Sequence, residues 1–244
     1  MPEAIDELSA LRQQLALALA MLEREEIIDF NGHFSARLPG AGGGPGLLIN
    51  AADSVRSRIG PGDFISVDFD GRPLHGERKP PMEFHLHAQL YRARPDVMAV
   101  VHTHPRWSTV LTTAGHAWLP VTMQAAVLGP VATFAKTASI NSAALGAEVA
   151  AFLGPAKAAL MHRHGAVTVA ASVQDAFVMA LYLEENAHRQ HLALQIGTPQ
   201  PLDADECALI GANLSRPMLL RKVWDYHLGK HFAHGLTPAA KDTR

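Results

Sequence analysis

The sequence predicts an α/β fold, with a mixed or antiparallel sheet covered by helices in one domain. Three observations carry that reading. A chain of 244 residues is an ordinary length for one such domain. Hydrophobic residues make up 48% and charged residues 18%, the composition of a core-forming protein and not of a disordered one. Short strand-like runs cluster early, helical patterns intersperse and finish the chain, and no repeat or linker interrupts them.

Taken in order, Ile5, Leu8, Leu11, Leu15, Leu19 and Leu22 recur at helical spacing, so residues from about 2 to 28 read as an amphipathic opening helix. Asn31-Gly32-His33-Phe34-Ser35 breaks the periodicity. The Gly-rich stretch from Pro39 to Gly46 reads as a flexible hairpin connection; no Lys-Ser/Thr follows it, so it does not match a phosphate cradle. Leu47 to Ile49 and Phe64 to Phe69 read as strands, the second closed by Asp70-Gly71. Pro80-Pro81 opens a helix from about Met82 to Arg94, stopped by Pro95. Val97 to Val101 suits a buried strand, and Pro105 can start another helix. Asn141 or Ser142 caps a helix through Phe152 that stops at Gly154-Pro155. Ala158 to Met161 and Val167 to Ala170 read as strands around a His-Gly turn. Ser172 and Asp175 form a capping arrangement for a long helix, about Val173 to Gln195. A last helix from about Asp203 begins a helical tail that bears histidine and tryptophan.

Charge narrows the function classes. Lysine and arginine number 21 against 23 aspartates and glutamates, a net −2, which argues against nucleic acid or an anionic membrane as the main partner. The apolar runs are broken short of the ~18–20 residues that span a bilayer. The acidic start, Met1 to Glu7, lacks the plan of a secretory signal. Cys207 is the one cysteine, permitting no internal disulfide and no cysteine metal cluster, as fits a reducing cytoplasm. Against 6% aromatics stand 14 histidines, and they point to chemistry.

The sharpest feature is Val100-Val101-His102-Thr103-His104-Pro105. Residues two apart in a strand face the same side, so both imidazoles can reach one site. His164, in Met161-His162-Arg163-His164-Gly165, is the third candidate, with Gly165 permitting a tight turn that aims the ring inward. His162 competes, but points oppositely if the segment is extended. Neutral imidazoles suit Zn²⁺, Mn²⁺ or Fe²⁺, and three protein ligands leave the open position that catalysis requires. Glu83, at the start of its helix, is the candidate general acid/base. The helix dipole would lower its pKa and burial would raise it, with Lys79 as a local counter-charge. The plainer readings are a glutamate stabilising a helix start and a core or turn histidine. His85 and His87 do not share a helix face and read as packing or interface residues, although His87 falls on the Glu83 face. His188 and His191 read as structural.

In this order and spacing, Asp70-Gly71, Lys79-Pro80-x-x-Glu83, Pro95-Asp96-Val97 leading into His102-Thr103-His104-Pro105, and His164-Gly165 resemble the class II aldolase/adducin family. The likeness runs from the first helix to about His191. It implies a three-layer α/β/α fold with a central mixed, largely antiparallel sheet, usually a homotetramer with sites at subunit interfaces. It implies His102, His104 and His164 as ligands of one divalent ion per subunit, Zn²⁺ or Mn²⁺ ahead of Fe²⁺ or Co²⁺. Glu83 is implied as the catalytic acid/base and as a further ligand of the resting metal. Non-catalytic adducin-like members lack the three histidines, so an enzyme is favoured here.

Departures bear on substrate. Sugar-phosphate aldolases of the family carry Gly-Asn-x-Ser and Ser-Ser-Glu motifs that contribute to phosphate binding. Here these become Gly32-His33-Phe34-Ser35 and Pro81-Met82-Glu83. Neither Met nor Pro can donate a hydrogen bond to a phosphate oxygen, so a phosphorylated sugar is not the expected substrate. Gly-His-x-Ser is similar to the branch that includes decarboxylases of hydroxylated aromatic or pyridine dicarboxylates. His33, Ser35, Arg78 and Tyr226 are the candidates for holding a substrate carboxylate or ring hydroxyl. His33 replaces a phosphate-contacting residue, Arg78 could clamp a carboxylate, and tail tyrosines often complete a neighbouring site in this family.

The first reading is therefore a metal-dependent carbon–carbon lyase that decarboxylates a small hydroxylated aromatic or heteroaromatic acid. A divalent ion would stabilise the enolate-like electrons left behind, and Glu83 would supply the proton. The alternatives are an aldolase acting on an unphosphorylated hydroxy-carbonyl compound and a non-catalytic interaction module.

Overall fold

Seven strands form one sheet in the computed structural model, which describes residues 2–38 and 46–232, with side chains from residue 7 onward. They are β1 (His33–Leu38), β2 (Gly46–Asn50), β3 (Phe64–Asp68), β4 (Ala99–Thr103), β5 (Ala132–Phe134), β6 (Ala158–Met161) and β7 (Gly165–Ala170). Their order is β3-β2-β1-β4-β7-β6-β5, and every pair is antiparallel except β5 with β6. The sheet is thus mixed and largely antiparallel, as expected.

Side chains alternate across the strands and feed two cores. Phe34, Ala36, Leu48, Val101, Leu160 and Ala166 face α1 (Pro2–Arg24), α5 (Val173–Ile196) and α7 (Pro217–Phe232). Leu47, Ile49, Val67, Val100, Met161 and Val169 face α2 (Phe84–Ala93) and α4 (Ala143–Leu153). Three layers, α/β/α, result. Two further α-helices, α3 (Arg106–Thr113) and α6 (Ala204–Leu214), and three short 3-10 helices complete the described elements. Among the described residues no helix is long and apolar enough to cross a membrane.

Several elements differ from expectation. The opening helix stops at Arg24, not near Ile28, because Glu26 takes a positive φ of 57° and Ile27 and Ile28 fold back to donate to the Leu22 carbonyl. Strand β1 was not anticipated, although His33, Ser35 and Arg37 alternate with Phe34, Ala36 and Leu38 at period two. The Gly-rich connection lies outside the described residues except for Gly46, and so does the Ile5 side chain; the flanking strands pair antiparallel with Leu38 opposite Gly46. Helix α2 begins at Phe84, two residues late. The strand read from Val97 runs instead from Ala99 to Thr103, which takes in His102. Beyond α6 the tail is a second helix, α7.

Gly165 serves a different purpose from the one expected. The left-handed residue of the β6–β7 turn is Arg163, with φ 56°. Gly165 already belongs to β7, where a Cβ would lie 2.2 Å from the Thr103 carbonyl oxygen. Only glycine lets the His164 turn approach β4 so closely.

Candidate metal centre

Strand β4 carries His102 at the middle of the sheet, and His104 follows just past its end. The β6–β7 turn delivers His164 from one side, and the residues leading into α2 deliver Glu83 from another. The three rings pack 4.9 to 5.2 Å apart between centroids. His102 Nε2 lies 3.1 Å from His104 Nε2 and 3.3 Å from Glu83 Oε2, while His164 Nε2 lies 3.5 Å from Glu83 Oε1. One ligand atom from each of the four residues falls within 4.8 Å of all the others.

This donor set fits a divalent ion. Bonds of ~2.0–2.1 Å to a tetrahedral ion would keep ligand atoms roughly 3.3 Å apart, the spacing seen here. The outward nitrogens are braced: His102 Nδ1 is 3.0 Å from the Ala166 carbonyl oxygen, and His104 Nδ1 is 3.3 Å from Asp29 Oδ1. Donating Nδ1–H to those oxygens leaves both Nε2 lone pairs turned inward, the tautomer a metal ligand needs. Two lone pairs 3.1 Å apart repel unless a cation stands between them. His164 has no such brace, since its Nδ1 is buried without a hydrogen-bond partner. Burial and the neighbouring His102 lower the pKa of His104 to about 4, which keeps it a neutral imidazole at pH 7.

Glu83 is the N-cap residue of α2, yet its side chain makes no capping bond. It turns into the site instead, where Oε1 accepts from Ser139 Oγ at 2.9 Å and from the Ile140 backbone N–H at 2.6 Å. Burial pushes its carboxyl up, but the facing imidazoles of His102 and His164 outweigh that and hold it well below the usual carboxylate range. Lys79, expected as its counter-charge, is exposed, and the ring nitrogens of His102 and His164 face the Glu83 carboxylate instead.

Beside the cluster lies a buried polar chain. His33 sits directly opposite His102 across β1 and β4, so both rings share a face, 5.2 Å apart. His33 Nδ1 is 3.4 Å from His87 Nε2, and His87 Nδ1 is 2.7 Å from Ser35 Oγ, which is 2.8 Å from the Tyr91 hydroxyl. Burial and the nearby His102 lower the His87 pKa to about 3; burial and the charge of His102 and His87 put His33 well below its ordinary value. Burial raises the Tyr91 hydroxyl well above its ordinary value. Ser35 is thus not open to a substrate but sits beneath His87.

The class II aldolase and adducin N-terminal domain profile matches residues 13–191. The chain belongs to this family. It is 34% identical over 165 residues to the 5-methylthioribulose-1-phosphate/5-deoxyribulose-1-phosphate aldolase of Rhodospirillum rubrum, covering 67% of this chain and 74% of that one. It is 31% identical over 190 residues to the 3,4-dihydroxyphthalate decarboxylase of Rhodococcus jostii, covering 72% of this chain and 76% of the other. In fold it is similar to the L-fuculose 1-phosphate aldolase from Glaciozyma antarctica, with a TM-score of 0.79, 21% identity and 93% of each chain covered.

The class II aldolase fold gathers His102, His104, His164, Glu83 and His33 but not the remaining candidates. Arg78 is engaged elsewhere, donating to Asp53 Oδ1 at 2.7 Å, to Asp63 Oδ1 at 3.2 Å and to the Gly62 carbonyl. Tyr226 is 64% exposed on α7, against His227. His85 packs against Phe84 with the rings tilted, and His188 and His191 pack on Trp107. Sequence reasoning missed Asp29, Ser139 and the Ala166 carbonyl, which brace the ligands, and took His87 for a packing or interface residue. Only the position of His87 one turn after Glu83 hinted at its place. Glu184 of α5 was missed as well: its carboxylate accepts from the Trp107 and Ser108 backbone N–H groups and from Ser108 Oγ, anchoring α3 just past His104.

Proposed function

We propose that this family member is a metal-dependent carbon–carbon lyase that decarboxylates a small hydroxylated aromatic or heteroaromatic carboxylic acid, acting as a cytoplasmic homotetramer. The carrying observation is the cage of three imidazoles and Glu83, with His33 where a sugar-phosphate aldolase would have an amide. His102, His104, His164 and Glu83 would hold one divalent ion, Zn²⁺ or Mn²⁺ before Fe²⁺ or Co²⁺. Such an ion supplies Lewis-acid polarisation of a bound oxygen.

The protein's own groups do the rest. Glu83 rests as a carboxylate; it takes a proton from solvent during turnover and passes it to the carbon from which CO₂ departs, so that one C–C bond is exchanged for one C–H bond. His33 orients the acid, and the buried chain behind it sets which hydrogen it presents. In this reading the Tyr91 hydroxyl donates to Ser35 Oγ, 2.8 Å away. Ser35 then donates to His87 Nδ1, and His87 Nε2–H donates to His33 Nδ1. His33 is left with Nε2–H as a donor, suited to a carboxylate or phenolate oxygen. Ser35 acts through His87. Arg78 and Tyr226 bind substrate only where a neighbouring subunit completes the site.

The test is CO₂ release from ortho-hydroxylated aromatic and heteroaromatic acids by protein of known metal content. Release that depends on metal supports the reading; full activity in stringently demetallated protein overturns it. A second reading is aldol cleavage, favoured by the 34% identity to a protein named as an aldolase. Aldehyde release in place of CO₂ would identify it.

A further inference from the structure

Glu25, His227 and His231 form a second cluster of metal-type donors, on elements that contribute nothing to the first. Glu25 directly follows α1, and its N–H donates to the Met21 carbonyl, so its backbone is held in the helix's last turn. His227 and His231 are four residues apart on α7 and share one helix face. His227 Nδ1 lies 2.8 Å and His231 Nε2 2.5 Å from the same oxygen, Glu25 Oε1. All three side chains are largely shielded from solvent, and the His227 ring packs edge-on against Phe177.

We propose that these three side chains form a second divalent-cation site, of zinc type, which pins α7 to the end of α1. Two imidazole nitrogens and one carboxylate oxygen are a recognised zinc donor set, and histidines at i and i+4 present it from one helix. Crowding at Oε1 supports the assignment. Lys230 Nζ approaches it too, at 2.7 Å, so three N–H donors press on one oxygen that offers about two lone pairs. A cation standing between Oε1 and the two ring nitrogens, with Oε1 drawn back from its present 2.8 and 2.5 Å approaches, relieves this, because each imidazole then uses a lone pair in place of its hydrogen. Lys230 is the competitor for that place, but its side chain is 44% exposed and can swing into solvent. Arg24 fixes the far end by donating to the His231 carbonyl at 2.5 Å, and its guanidinium lies 4.4 Å over the Phe232 ring.

The test counts zinc by equilibrium dialysis of the full chain, with no activity readout, so its outcome is independent of the proposed lyase reaction. Wild-type protein binds two equivalents, and the His227→Asn/His231→Asn chain binds one. The His102→Ala/His104→Ala chain keeps one equivalent, lost when His231→Asn is added. Lys230→Met, which removes the competing ammonium and leaves every ligand in place, tightens this equivalent about tenfold or more. Circular dichroism checks that each variant is folded, and Leu220 and Trp224 bury α7 against the core without the cluster. If wild type and the His227→Asn/His231→Asn chain bind the same number of equivalents, or if Lys230→Met leaves zinc affinity unchanged, the cluster is an ion-paired lock and the proposal falls.

Discussion

Glu83 and His102 share a cage, yet substitution should separate their roles. Glu83→Gln keeps three imidazoles and a neutral oxygen ligand, so metal is retained while turnover falls by about 10²–10⁴, the usual share of a general acid/base. His102→Ala removes the ligand at the centre of the cluster, and metal and turnover are lost together. Elemental analysis beside a rate measurement distinguishes the two, and full activity in Glu83→Gln would remove that carboxylate from the mechanism. His87→Phe retains metal but releases the His33 ring, and a lost hydrogen bond to a charged oxygen, about 1.5–3 kcal/mol, should lower kcat/KM roughly 10- to 150-fold. The ligands themselves were legible because His-x-His, His-Gly and the Lys-Pro-x-x-Glu run each lie within a few consecutive residues. Asp29, Ser139 and the His87–Ser35–Tyr91 chain were not, since strand pairing and turns bring them in from distant segments.

Strands and helices set how finely those side chains are held. Gly165→Ala would press a methyl against the Thr103 carbonyl, forcing β7 from β4 where His102 and His164 meet. A cost of about 1–3 kcal/mol is expected, with weakened metal binding, measured by denaturant unfolding and metal titration. Glu184→Gln tests the anchoring of α3. Burial raises the Glu184 pKa above its ordinary 4.5 despite the hydrogen bonds it accepts. A carboxyl raised in the folded state takes up its proton there first. Wild-type stability relative to Glu184→Gln should therefore rise as pH falls through the folded pKa and level off below about 4.5, where the unfolded chain is also protonated. A difference independent of pH would mean that Glu184 titrates alike in both states. At this scale the apolar runs and caps were readable, including Ser142 and Ser172, whose side chains accept from Leu145 and Asp175. Strand β1 hid behind its polar residues, and β5, at three residues, is too short to leave a periodic signal.

For the molecule as a whole, metal and fold are linked through mass action. An ion bound by the native state alone stabilises it by about 2.7 kcal/mol at a free concentration one hundred times its Kd. Chelation should accordingly lower the thermal midpoint, and restoring zinc should return it; an unchanged midpoint would uncouple the site from folding. The layer order was readable from the family resemblance, whereas the packing of α7 was not, because its histidines find Glu25 only after the chain has closed on itself. Strand β4 is the fourth of seven, paired along both edges. Its amides should consequently be among the last to exchange with deuterium, opening only when the entire sheet does. Losing the ligand geometry at His102 would then require the molecule to come apart cooperatively, not to fray.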